Sequence, residues 1–136
     1  MTPLASRAAV VIQTPRARFV VRCALWPYAA IVAVFTLWPK LKVPMPVPRS
    51  DLIIHLVCFG LLGLLVIAAG LFGPVFSRRN LLVAGSVAAT FAAVDEGLQA
   101  IPFLNRTCAW DDMAANTMGI LLAVLVMGLW GRAGRS

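Results

Sequence analysis

The chain has 136 residues, of which 61% are hydrophobic and only 12% are charged, and its formal net charge is +7. A soluble domain carries about a quarter charged residues, so this composition excludes a soluble protein and predicts an integral membrane protein. The positive charge does not indicate nucleic-acid binding, because a chain embedded in lipid has no broad soluble face to lay along a duplex; we expect its cations to meet anionic membrane lipids instead.

The N-terminal segment 1–18 is predicted to be a cytoplasmic tail. Arginines and prolines interrupt it before any long apolar run begins, which is unlike a signal peptide. The first apolar run, Phe19–Trp38, is long enough to cross the hydrocarbon core, since about 20 apolar residues suffice for a helix. Pro27 lies inside this run and predicts a kink. The prolines of Pro39–Pro48 predict a stiff, extended connection to the next run.

Three further apolar runs complete the predicted fold, which is all-α: an integral membrane bundle of four transmembrane helices. The runs are Leu52–Phe72, Leu81–Ala100 and Asp112–Trp130. A turn that begins at Gly73 and Pro74 separates the first two of these runs. The bundle is predicted to occupy residues 19–130, and residues 131–136 are predicted to form a cytoplasmic C-terminal tail.

Short polar side chains lie at the start of two of the runs. Ser50 and Asp51 directly precede the second run, and Asp111 and Asp112 open the fourth. Such side chains accept hydrogen bonds from the unpaired amides of a first helical turn and favour the positive end of the helix dipole. We therefore expect Asp51, and either Asp111 or Asp112, to cap their helices.

The distribution of cations predicts the orientation of the bundle. Four spans place both termini and the second loop on one membrane face, and the first and third loops on the other. The first face carries eight cations, namely Arg7, Arg16, Arg18, Arg22, Arg78, Arg79, Arg132 and Arg135, and the second carries four, namely Lys40, Lys42, Arg49 and Arg106. The positive-inside rule therefore predicts cytoplasmic termini, and all the carboxylates lie toward the outer face.

Polar side chains recur at helical spacing near this outer face. Three pairs are four residues apart and so share a helix face: Asp51 with His55, Asp95 with Gln99, and Asp112 with Asn116. Glu96 lies beside Asp95, and Arg106 is the expected partner of these deep carboxylates, because a guanidinium holds a carboxylate with two bonds. Small residues predict close approach of the helices; they are Gly60, Gly63, Gly85, Ala88, Ala89, Ala92, Ala93, Ala114, Ala115 and Gly119.

These residues resemble a known family. The pattern Asp51-x-x-x-His55, Asp95-Glu96-x-x-Gln99, Pro102, Arg106 and Asp112-x-x-x-Asn116-x-x-Gly119 is similar to that of VanZ-like membrane proteins, named for an accessory teicoplanin-resistance protein of bacteria. The resemblance covers about residues 25–130 and departs at Leu52, where members often carry lysine. It implies the bacterial cytoplasmic (inner) membrane and a link to the cell envelope or to glycopeptide resistance, and it supplies no reaction.

Four interpretations follow for the predicted site, which comprises Asp51, His55, Asp95, Glu96, Gln99, Arg106, Asp112 and Asn116. These side chains serve only as caps and interhelical contacts, or they bind an amphipathic molecule such as a lipid-linked envelope precursor or a glycopeptide. In a third interpretation His55 and a carboxylate perform acid–base chemistry on a lipid-borne bond, and in a fourth the bundle is an accessory subunit of a larger membrane complex. The density of polar groups favours a functional role over contacts that serve stability alone, and binding is the function we expect. Catalytic residues stay unassigned. No cofactor or metal site is predicted, because His55 and the cysteines lack metal-ligand spacing.

Overall fold

The computed structural model describes residues 3–38, 50–104 and 109–134, with side chains from residue 6 onward in the first range and from residue 51 onward in the second. The helices of this part of the chain are α1 (Pro3–Val11), α2 (Pro15–Leu37), α3 (Ser50–Ala68), α4 (Arg78–Gln99), a short 3-10 helix (Pro102–Leu104) and α5 (Trp110–Ala133). Helices α2 to α5 are long and apolar enough to cross a membrane. The predicted all-α bundle with four membrane-spanning helices is therefore confirmed.

The segment predicted as an N-terminal tail is largely helical. It contains α1 and the first turn of α2, which begins at Pro15 rather than at Phe19. The side chain of Thr14 caps α2 by accepting a hydrogen bond from the backbone N–H of Ala17 at 3.3 Å, and Pro15 occupies the first turn, where its missing N–H costs nothing. Helix α2 then continues through Pro27.

Helix α3 ends at Ala68, four residues before the predicted end at Phe72. Gly70 has a φ of 57°, a left-handed conformation that breaks the helix and that glycine adopts without steric cost. The guanidinium of Arg22 binds the carbonyl oxygens of Ala69 at 2.9 Å and Gly70 at 3.2 Å. A cation thus satisfies carbonyl groups where α3 ends, at the negative end of the helix dipole.

A fully buried asparagine fixes the segment between α3 and α4. Asn80 accepts a hydrogen bond from the backbone N–H of Phe72 at 3.2 Å and donates to the carbonyl oxygens of Ile67 and Val75, both at 2.9 Å. Asn80 follows the turn predicted at Gly73 and Pro74; it lies in the first turn of α4 and holds the preceding residues in place. The polar groups of this buried connection are satisfied in this way.

The closest helix contact joins α3 to α5. A Cβ atom added to Gly60 would lie 3.3 Å from the carbonyl oxygen of Gly119, and one added to Gly119 would lie 2.8 Å from the nitrogen of Gly60 and nearer still to the Leu56 carbonyl oxygen. Gly63 and Gly85 also face α5 closely. The predicted close approach is confirmed at these four glycines, and it is wrong at Ala93 and Ala114, which are exposed.

Within the described residues, the arginines and the carboxylates lie at opposite ends of the bundle. At one end α2 and α4 finish and α3 and α5 begin; this end, which we call the acidic end, holds Asp51, Asp95, Glu96, Asp111 and Asp112. The opposite end, the basic end, holds every arginine of the described residues: Arg7, Arg16, Arg18, Arg22, Arg78, Arg79 and Arg132. The predicted connection Pro39–Pro48, Arg106 and the lysines lie outside the described residues.

Candidate functional site

Five polar side chains from three helices are buried at the acidic end. They are His55 of α3, Asp95, Glu96 and Gln99 of α4, and Asn116 of α5, and none is more than 8% exposed. Thr36 of α2 and Asp112 of α5 contact them and are partly buried. We call these seven residues the polar cluster.

Helix α5 places one polar side chain near each ring nitrogen of His55. Nδ1 lies 3.0 Å from Oδ1 of Asn116, a hydrogen-bond distance, and Nε2 lies 3.9 Å from Oδ2 of Asp112, within ion-pair distance but beyond a normal hydrogen bond. The ring of Phe59, one turn further along α3, is parallel to the imidazole with the ring centroids 6.3 Å apart. The four-residue spacing of Asp112 and Asn116 therefore positions two side chains around one ring.

Glu96 joins the end of α4 to the start of α5. Its Oε1 accepts a hydrogen bond from the backbone N–H of Ala109 at 2.8 Å, and its Oε2 accepts one from Nε2 of Gln99 at 3.3 Å. Ala109 is the N-cap residue of α5 and supplies no capping side chain. The prediction that Asp111 or Asp112 caps this helix is therefore wrong: both lie in its first turn, and Glu96 binds the N–H of the N-cap residue from another helix.

Asp95 connects the cluster to α2. Its Oδ1 lies 2.8 Å from the hydroxyl oxygen of Thr36, which also lies 2.9 Å from the carbonyl oxygen of Val32 in its own helix. A hydroxyl has one proton to donate, so Thr36 shares it between the carboxylate and the backbone carbonyl. Thr36 was not among the predicted site residues, because a lone threonine in an apolar run normally bonds to its own helix.

Two buried atoms of the cluster have no hydrogen-bond partner among the described residues. They are Oδ2 of Asp95 and Nδ2 of Asn116. Turning the Asn116 amide through 180° would exchange its oxygen and nitrogen, so in either orientation one amide atom faces His55 and the other is open. Buried polar atoms are normally paired, so these two open positions call for an explanation.

Asp51, a further predicted site residue, lies apart from these contacts. It is exposed in the first turn of α3, and within the described ranges no hydrogen bond or ion pair joins it to the cluster. His55 lies one turn further and points inward to α5 instead. Arg106 lies outside the described residues, so its predicted pairing with Glu96 stays a prediction. Of the predicted set, the structure brings together His55, Asp95, Glu96, Gln99, Asp112 and Asn116.

In the described part of the chain, no group of three His, Cys, Asp or Glu side chains is arranged to hold a metal ion. Comparisons of the chain with protein-family models, curated proteins and solved structures give no match. The likeness to VanZ-like proteins therefore rests on the residue pattern alone.

Proposed function

We propose that this membrane protein binds the polar head of an amphipathic, membrane-borne molecule at its acidic end. The observation that carries the proposal is the pair of open buried atoms, Oδ2 of Asp95 and the free amide atom of Asn116. They belong to side chains that are 3% and 0% exposed and that lie in one cluster. A head group with hydrogen-bonding atoms would satisfy both.

The contrast with Glu96 favours binding over a purely structural role. Glu96 uses both of its oxygens on protein groups, the Ala109 N–H and the Gln99 amide, which is what a carboxylate serving as an interhelical contact requires. Asp95 uses only one oxygen, through Thr36. An unpaired buried polar group costs about 1 to 3 kcal/mol, so a cluster serving stability alone would not retain two of them.

Binding is also favoured over acid–base catalysis. His55 is only 8% exposed, and its two ring nitrogens face Asn116 and Asp112. A general acid or base must come within hydrogen-bond reach of the substrate proton, and here both positions are directed at protein groups. In this proposal His55 orients Asn116 and contributes to the charge of the site.

The ligand class follows from the residue pattern and from the location of the site. The VanZ-like pattern predicts a cell-envelope molecule, either a lipid-linked precursor or a glycopeptide, and both kinds of molecule carry amide and hydroxyl groups able to donate to Asp95. The excess of arginines at the basic end supports an orientation with the termini in the cytoplasm and the cluster toward the outer leaflet, where such molecules reside.

The proposal is tested by comparing Asp95→Asn with Asp111→Asn in lipid nanodiscs. Both changes remove one carboxylate from the acidic end, but Asp111 is exposed and outside the cluster. Binding of two probes, a lipoglycopeptide and a polyprenyl-linked envelope precursor, is measured by titration. We expect Asp95→Asn to weaken binding about tenfold, the loss of one charge-assisted hydrogen bond, and Asp111→Asn to have little effect. Equal affinities of all three proteins, or no binding of either probe to the wild type, would overturn the proposal.

A further inference from the structure

A partly open cavity of about 280 Å³ lies at the basic end, on the opposite side of the molecule from the polar cluster. Helix α1 lines it with Ala9 and Val10, and the turn after α1 contributes Gln13. The segment before α4 contributes Phe76 and Ser77, and the end of α5 contributes Gly131. Small ligand sites occupy about 300 to 1,000 Å³, so this cavity accommodates a head group or a short length of chain and not a whole lipid.

Specific packing builds the walls of this cavity. A Cβ atom on Gly131 would lie 2.6 Å from Cβ of Phe76, so only glycine permits this approach. The ring of Phe76 meets the ring of Trp130 edge-on, with centroids 5.4 Å apart. Ala9, which is 6% exposed, attaches α1 to the end of α5 near Gly134. The cavity is therefore bounded by elements that are packed against one another.

The charges around the cavity have one sign. Arg78 directly follows Ser77, and Arg132 directly follows Gly131; both arginines are exposed. Arg7 is exposed on α1, and the described residues of the basic end include no Asp or Glu. A ligand held here is consequently expected to carry negative charge.

When the four long apolar helices span a membrane, the cavity at their ends is expected among the lipid head groups. Helix α1 exposes Val10 and Val11, which are 66% and 60% accessible, and the first turns of α2 expose Phe19 and Val20. A short helix with exposed apolar residues beside the end of a spanning helix is suited to lie at the membrane surface. Most of the cavity wall is apolar, with Gln13 and Ser77 as its polar side chains. A lipid, which has both an anionic and an apolar part, matches these walls better than a free inorganic anion.

We propose that this cavity binds one anionic phospholipid of the leaflet at the basic end. Its phosphate lies toward Arg78 and Arg132, and its glycerol region and the first carbons of a chain lie against Val10 and Phe76. The site is independent of the polar cluster, and it fastens α1 to the bundle through a bound lipid.

The test compares two neighbouring residues of α1. Val10→Asp puts a carboxylate into the cavity wall, whereas Val11→Asp puts the same charge on an equally exposed residue that does not line it. Each protein is released from nanodiscs of phosphatidylglycerol and phosphatidylcholine in equal amounts, and retained lipids are counted by native mass spectrometry. We expect the wild type and Val11→Asp each to retain one phosphatidylglycerol molecule per protein. Val10→Asp should retain at most about one fifth of that amount.

A second pair of variants tests the arginines. The double variant Arg78→Gln with Arg132→Gln should reduce lipid retention as Val10→Asp does. The double variant Arg16→Gln with Arg79→Gln removes the same charge from the same end, and it should retain more lipid than the first double variant. Equal retention by Val10→Asp and Val11→Asp, or retention of phosphatidylcholine as readily as phosphatidylglycerol, would overturn the proposal. Displacement of the lipid by millimolar inorganic phosphate would also overturn it, because the site would then recognise the anion alone.

Discussion

Asp95 and Glu96 are neighbours in the chain, and both are buried at the acidic end, yet their oxygens have different partners. Glu96 closes a contact between the end of α4 and the start of α5, with both oxygens occupied. Asp95 reaches α2 through one oxygen and leaves the other open. Their exposed fractions do not distinguish them; the partners of each oxygen do.

We expect Glu96→Ala to destabilise the protein by about 3 kcal/mol. The change leaves the Ala109 N–H and the Gln99 amide without a described acceptor and opens a cavity in a fully buried place. Asp95→Asn keeps the size of its side chain and should cost less than about 1 kcal/mol. Both changes in the free energy of unfolding are measured by unfolding the variants in mixed micelles of a mild detergent and SDS. A larger loss for Asp95→Asn than for Glu96→Ala would contradict this division of roles.

Residue spacing predicted part of the site. The four-residue interval between Asp112 and Asn116 does place both side chains around His55. The same interval between Asp51 and His55 gives no contact, because spacing describes one helix and His55 finds its partner on another. Thr36 was missed for a similar reason: its role depends on how α2 lies against α4, and no single helix contains that information.

The pairing of α3 with α5 is the tightest contact between spanning helices. Lipid tails are as apolar as the helix surfaces, so helices in a membrane associate through close packing rather than through burial from water. Gly60 and Gly119 permit this packing by bringing backbone against backbone. The same contact positions His55 next to Asn116, three residues before Gly119.

We expect Gly119→Ala to destabilise the bundle by about 1 to 3 kcal/mol, because the added methyl group meets the backbone of Leu56 and Gly60. Gly97→Ala is the matched control, since an added Cβ there has no atom within 4 Å. It should leave stability unchanged or raise it by less than about 1 kcal/mol. The unfolding midpoint in detergent distinguishes the two, and equal midpoints would show that the close approach does not limit stability.

Hydropathy predicted the existence of the four spanning helices but not all of their ends. The early end of α3 depends on Gly70 and on the contacts of Arg22 and Asn80 with the following backbone. Arg22 lies 47 residues from Ala69 in the sequence, and Asn80 lies 13 residues from Ile67. The hydropathy of the apolar run alone therefore does not reveal these contacts. Helix α1 was missed because its helical residues include the charge of Arg7 and lie between two prolines.

The whole molecule is divided by charge along its length. Within the described residues, the arginines lie at the basic end and the carboxylates at the acidic end, with the apolar core between them. The two proposed sites follow this division. The acidic end offers buried hydrogen-bonding groups, and the basic end offers a cavity beside arginines.

The positive-inside rule predicts that the basic end faces the cytoplasm. A fluorescent protein fused after Ser136 should therefore be bright, and alkaline phosphatase fused at the same position should be inactive, because each reporter works on only one side of the membrane. The same phosphatase inserted in the loop between α2 and α3 serves as the reciprocal control. An active C-terminal phosphatase would show that the orientation is the opposite of the predicted one, with the polar cluster in the inner leaflet.

Charge is also divided unevenly across the bilayer. The termini and the second loop carry eight cations and no acidic side chain, whereas the opposite face carries five carboxylates and four cations. A living membrane holds its interior negative, and carrying one elementary charge across 100 mV involves about 2.3 kcal/mol. The resting voltage accordingly pulls the arginine-bearing end inward, and a molecule inserted upside down would hold that end against the voltage. The energised membrane itself therefore helps to keep the bundle upright.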